Sequence, residues 1–336
     1  MRSFKSALPI ALVLTALAGI SRAEDHVLRL TGTIALPGIS GRIDHMAATT
    51  DGRSLFVAAF GANRVLRVDT EGAKVTGVIT GIRAPQGICY LSKSNRIAVA
   101  SGGDGEVRFY TSDTLRPLGA ARGLPDADNV RYDADANLVY VGYGEGALAV
   151  IDPEAVAVTA EIALDGHPES FQIEKHGTRI FINVPAADEV EVFDRAMRRP
   201  PNVWKLKPLA GNFPMALDEA GQRLYVGTRK PPGIAVMETE TGKVIAIMSA
   251  CGDADDLFYQ PQGKLIYVSG GQGCVNVFRP AQTNDYQRID TVNTFPNART
   301  SLLVPSAHRL FVAVPKQRGQ RAELMEFTVG DRRKAK

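Results

Sequence analysis

A short apolar strand recurs seven times along this chain, at a spacing near forty-two residues. The seven triplets are Leu55-Phe56-Val57, Ile97-Ala98-Val99, Val139-Tyr140-Val141, Ile180-Phe181-Ile182, Leu224-Tyr225-Val226, Ile266-Tyr267-Val268 and Leu310-Phe311-Val312. Their centres are separated by 42, 42, 41, 44, 42 and 44 residues. A fixed period of this length implies stacked or radially arranged units, none able to bury its apolar face alone. Alternating apolar residues, β-branched enrichment and Gly/Asn/Asp punctuation select a strand meander over helical repeats. In the first unit the expected strands cover residues 44–50, 54–60, 64–69 and 74–79. Gly102-Gly103-Asp104-Gly105, Tyr143-Gly144-Glu145-Gly146 and Gly270-Gly271-Gln272-Gly273 are the hairpin turns of later units.

The expected fold is all-β: a seven-bladed propeller of four-stranded antiparallel blades. The seventh unit supplies three strands, over residues 299–305, 309–314 and 321–329, and lacks a fourth. Residues 27–36, Val-Leu-Arg-Leu-Thr-Gly-Thr-Ile-Ala-Leu, have the character of the missing one. Placed in the last blade, this N-terminal strand closes the ring and removes its exposed edges. One closed domain over residues 24–330 follows.

Residues 1–23 read as a cleavable secretory signal, with Arg2 and Lys5 ahead of an apolar core and Ser21-Arg22-Ala23 at the cleavage site. The expected location is periplasmic. No integral membrane span is expected, because no stretch reaches about 18 apolar residues. Without the three basic residues of that signal the chain carries 36 basic and 36 acidic residues. Such a balance argues against a nucleic-acid partner. Residues 331–336 form a basic C-terminal tail, and the chain is expected to be a monomer. Of three cysteines, Cys251 and Cys274 fall at the same end of one unit and can pair, or stay free; Cys89 sits inside an apolar strand as a buried thiol. No Cys-x-x-Cys-His occurs, so covalent haem is excluded.

Twelve residues before each triplet centre stand Asp44, Gln86, Asp128, Glu169, Phe213, Asp255 and Arg299. In a propeller these positions converge on the central channel. Two unit charges about 6 Å apart at an effective dielectric near 20 repel by about 3 kcal/mol, so gathered carboxylates need a cation, a shared proton or a basic partner. Arg299, paired with Asp255 or Asp44, is the simplest compensator. One residue further come His45, Gly87, Asn129, Ser170, Pro214, Asp256 and Thr300. Asp44, His45, Asp128, Glu169, Asp255 and Asp256 are candidate ligands for a divalent cation: calcium from oxygen donors alone, or zinc, manganese or iron if His45 or His167 turns inward. Gln86, Asn129, Ser170, Phe213, Arg299 and Thr300 are candidate contacts for a small molecule. Phe60, Tyr143, Phe171, Phe213 and Phe258 are candidate walls, with Arg42, Arg83 and Arg299 as anion partners. His167-Pro168-Glu169-Ser170 lacks the Gly-x-Ser-x-Gly elbow of a serine hydrolase.

Leu138-Val139-Tyr140-Val141, Leu148-Ala149-Val150-Ile151-Asp152, Leu224-Tyr225-Val226-Gly227-Thr228 and Val65-Leu66-Arg67-Val68-Asp69 resemble YVTN-type propeller repeats. The resemblance covers nearly all of the chain after residue 23 and implies blade packing rather than an activity. A fainter resemblance links Asp44, Asp128-Asn129, Glu169 and Asp255-Asp256 to propeller lactonases of the regucalcin and paraoxonase type, which hold a divalent cation in the central tunnel. The leading expectation is an exported binding propeller for a small ligand, metal ion or protein partner. A metal-dependent lactonase or esterase, with Asp44, His45, Glu169 or Asp256 handling a proton, is the alternative. An accessory scaffold for an exported redox complex is the third reading.

Overall fold

The computed structural model describes residues 26–197 and 201–330. They form seven four-stranded antiparallel sheets. The first is Met46–Ala48, Ser54–Ala59, Arg64–Asp69 and Lys74–Ile79, paired in chain order from the innermost strand outward. The innermost strands of successive blades adjoin one another, and that of the seventh blade, Ser301–Val304, reaches back to Met46–Ala48. The ring is therefore closed around a central channel. The only helical segments among the described residues are the single turns Phe60–Ala62, Pro185–Ala187 and Pro305–Ala307. None is long and apolar enough to cross a membrane.

The closing strand is Leu28–Ala35, one residue shorter at each end than the expected segment. It pairs antiparallel with Glu323–Val329, with Leu28 opposite Val329 and Ala35 opposite Glu323, and with a bulge between Leu30 and Gly32. The seventh blade thus takes three strands from one end of the chain and one from the other. The inner strand of the first blade is shorter than the expected residues 44–50, because Asp44 and His45 leave the regular ladder toward the channel. Their backbones still bond Ala58, through Asp44 N–H to its carbonyl at 2.7 Å and Ala58 N–H to the His45 carbonyl at 3.1 Å.

Each repeated triplet serves two interfaces at once. Leu55 and Val57 pack with Phe311, Ile34 and Leu324 of the last blade, whereas Phe56 and Ala58 pack with Ile88, Ile97 and Val99 of the second. Period-two alternation sends successive side chains to opposite faces of the sheet, and both faces are covered by neighbouring blades. That is why the strands read as continuous apolar runs. Seven apolar cores result, each lying between two adjacent blades.

Cys251 and Cys274 form a disulfide, with Cα atoms 5.9 Å apart, tying the entry of the sixth blade's inner strand to the start of its third. Cys89 is free and buried, and burial pushes its thiol up to about 12, so it is inert at neutral pH. The signal segment and the basic tail lie outside the described residues.

Ile34, fully buried where the last blade meets the first, tests closure. Ile34→Ala should cost about 2–4 kcal/mol in urea unfolding, whereas Leu30→Ala on the same strand, half exposed at 50%, should change little. Equal effects would mean that the closing strand contributes no core.

Candidate functional site

The same backbone bond sets the depth of three column residues. Asp44, Asp128 and Glu169 each donate N–H to a carbonyl of the second strand: Ala58 at 2.7 Å, Gly142 at 2.9 Å and Asn183 at 3.0 Å. Their carboxylates enter the channel at equivalent heights from blades one, three and four. Between them Gly87 is required by space, since a Cβ there would lie 2.1 Å from the Asp128 carbonyl oxygen.

The channel mouth divides into a compensated side and an acidic one. Asp255 receives two guanidinium groups, Arg229 Nη2 at 2.8 Å and Arg299 Nε at 3.0 Å, and both arginines also approach Asp253 at 3.3 Å. Arg229 in turn lies 3.6 Å over the Phe213 ring, a cation–π contact. Asp44, fully buried, takes Arg42 Nη2 at 2.5 Å. On the other side Asp128 has no lysine or arginine partner among the described residues, and its nearest cationic group is His167 Nε2 at 3.9 Å. Donor atoms of Asp128, His167 and Glu169 all lie within 4.8 Å of one another.

Electrostatics follow from this division. Burial raises the Glu169 carboxyl well above its ordinary range, and the charges of Asp128 and Asp255 push it further. Burial likewise raises Asp44, against the pull of His45 and Arg42. His167 is held at about 9 by its contact with Asp128, outweighing its own desolvation. Desolvation disfavours the His45 imidazolium, yet Asp256, 3.4 Å from Nδ1, together with Asp44, 3.7 Å from Nε2, holds it at about 10. Even so, Asp44 Oδ1, Asp128 Oδ1 and Asn129 Oδ1 remain buried without a hydrogen-bond donor. Buried acceptors of this kind cost about 1–3 kcal/mol each when nothing binds them.

Several candidate residues stand elsewhere. Thr300 donates its hydroxyl to the Ile43 carbonyl at 3.2 Å, clamping blade seven to blade one. Gln86 donates to the Ala127 carbonyl at 3.2 Å and to Asp126 at 3.3 Å, bridging blade two to the loop before blade three. Phe213 acts through Arg229, as a support beneath its guanidinium. Arg299 pairs with Asp255 and not with Asp44, which Arg42 already holds. Arg83 is tied to Asp104 at an exposed hairpin turn, and Tyr143 donates to the exposed Glu161.

Next to the column lies a cavity of about 520 Å³ whose lining includes His45, Arg131, Ser170, Asp256 and Phe258. A depression of about 630 Å³ between blades three and four, lined by Tyr140, Ile162, Phe193 and Arg195, shares no residue with the column. Arg229 and Arg131 are channel residues outside the sequence expectations. Arg131 had a legible signal, a charge in an inner strand three residues past Asp128. Arg229 lies near the end of a second strand, and only tertiary pairing brings it to Asp255.

No family model matches the chain, and no curated protein matches it. Solved structures do. The WD40 repeats of RRP9 superpose with a TM-score of 0.79 at 10% identity, covering 90% of this chain and 100% of that one. A chain of the mitotic checkpoint complex gives 0.77 at 14% identity, covering 98% and 99%. A chain of Kuenenia stuttgartiensis hydrazine synthase gives 0.73 at 16% identity, covering 89% and 100%. At such identities the likeness establishes the seven-bladed, WD40-like fold alone.

Arg229→Met should leave Asp255 with one guanidinium and destabilise the protein by about 3 kcal/mol in urea unfolding. Adding Asp255→Asn should recover part of the loss. Strictly additive losses would show that the two groups are not coupled.

Proposed function

We propose that this chain is an exported YVTN-type propeller that holds a divalent cation between Asp128, His167 and Glu169 and binds a ligand or partner at that channel mouth. The carrying observation is the convergence of those three donors within 4.8 Å, on the side of the mouth that has no lysine or arginine partner among the described residues. The unpartnered buried oxygens of Asp128 and Asn129 support it. His167 Nδ1 lies 2.6 Å from the Gly144 carbonyl, a bond that directs Nε2 toward Asp128 and matches the outer-shell support of metal-binding imidazoles. A mixed nitrogen and oxygen set suits zinc, manganese or iron better than calcium, which takes six to eight oxygens. Export is supported by residues 1–23 and by the disulfide, a bond that persists in oxidising compartments.

Hydrolysis of a lactone or related ester is the second reading, favoured by the His45–Asp256 pair beside the same mouth. No complete catalytic constellation stands beside that pair among the described residues, so binding stands ahead of catalysis. A scaffold role, carried by a blade edge, draws on the likeness to a chain of the mitotic checkpoint complex and to one of hydrazine synthase.

Purified protein, stripped of metal and re-equilibrated with zinc, should retain one equivalent per chain and melt several degrees higher, since a ligand that binds only the native state stabilises it. Asp128→Asn and Glu169→Gln should each abolish retention and the shift. No stoichiometric metal and an unchanged melting temperature with zinc, manganese and calcium would sink the proposal. If metal is retained, absence of turnover on a panel of lactones and aryl esters would remove the hydrolase reading.

A further inference from the structure

The channel arginines differ in one respect. Arg42 has Asp44, and Arg229 and Arg299 have Asp255, but Arg131 has no carboxylate within 4.0 Å among the described residues. Its Nη2 donates to Ser170 Oγ at 3.2 Å and its Nη1 to the Val130 carbonyl at 3.0 Å. Its guanidinium carbon lies 5.5 Å from the Phe171 ring. A guanidinium offers five N–H donors, and these contacts use two of them. The nearby Asp256 is committed elsewhere: Oδ2 accepts the Ser301 N–H at 2.7 Å and Oδ1 faces His45 at 3.4 Å.

Arg131 nevertheless lines the 520 Å³ cavity together with His45, Lys175 and Ser170. His45 is paired with Asp256 and Asp44, and Lys175 is exposed, so Arg131 is the cation of this lining with donors left over. An anion entering the cavity would meet the three N–H donors that Arg131 does not spend on Ser170 and Val130. Part of the remaining wall is apolar, with Ile88, Val130, Met215, Leu257 and Leu302, and Gln172 and Ser301 add polar groups. A volume in the range of about 300–1,000 Å³, apolar walls and a few convergent polar groups are the usual features of a small-molecule pocket.

We propose that this cavity is a pocket for a small organic anion, a carboxylate carried on an apolar body, anchored by the planar fork of Arg131 and by the Ser170 hydroxyl. The fork matches a carboxylate bidentately. The proposal deepens the ligand-binding reading of the channel and does not depend on the cation. Metal retention and carboxylate binding are separate readouts, so the failure of one is told apart from the failure of the other.

Titration calorimetry at pH 7 with benzoate, hexanoate, inorganic phosphate and the neutral benzyl alcohol tests it, with metal content measured on the same samples. Benzoate or hexanoate should bind wild type at least tenfold more tightly than benzyl alcohol. Arg131→Met should lose that preference, with the melting curve taken on the same sample to show that the fold is kept. Arg131→Lys, which keeps the charge but not the fork, should retain a weakened preference, and Ser170→Ala should lose severalfold. Equal or absent binding of the carboxylates and benzyl alcohol, a preference for phosphate over both carboxylates, or unchanged carboxylate binding in both Arg131 variants would each overturn the proposal.

Discussion

Everything in this molecule depends on the pairing of Leu28–Ala35 with Glu323–Val329. A ring of blades has no meaning until its two ends meet, because each apolar core lies between two sheets and the last core needs the first blade. Ile34, Leu36 and Ile39 enter that core beside Leu55, Val57 and Phe311. Closure turns seven marginal sheets into one cooperative body and leaves only short inner edges that face the channel. It also fixes the width of the central channel, so residues far apart in sequence face one another at set distances.

The channel mouth shows what that geometry imposes. Asp44, Asp128, Glu169 and Asp255 would repel one another if left alone, and the protein answers differently at each. Arg42 neutralises Asp44, Arg229 and Arg299 neutralise Asp255, and His45 bridges toward Asp256. Asp128 has His167 as the one cationic group within 4.0 Å among the described residues, and Glu169 feels His167 and His45. The asymmetry, rather than the mere number of acids, marks one side of the mouth as a place for a cation. Arg131 differs from the other channel arginines in having no carboxylate within 4.0 Å among the described residues, its hydrogen bonds going to Ser170 and the Val130 carbonyl.

The fold was highly legible because blade packing is a local matter. A strand covered on both faces must be apolar at consecutive positions, so Phe56, Tyr225 and Phe311 announce themselves at a regular spacing. Turn glycines and the shortage of a fourth strand in the last unit carry the rest. The candidate site was legible only as a set of positions. Asp44, Asp128, Glu169 and Asp255 do share the mouth, but Thr300 and Gln86 spend their hydrogen bonds joining neighbouring blades. No spacing rule distinguishes an inward hydroxyl from one that clamps a loop, since both follow the same inner-strand start.

The chain alone determined the number of blades, the strand that closes them and the convergence of a polar column, because each rests on the period and on alternation along a strand. Tertiary structure alone decided which acid meets which base. Arg229 reaches Asp255 from a strand end 26 residues away in sequence, and Arg42 takes Asp44 before Arg299 can. Ion pairing depends on side-chain reach across the closed ring, a distance set only when the first strand and the last are joined.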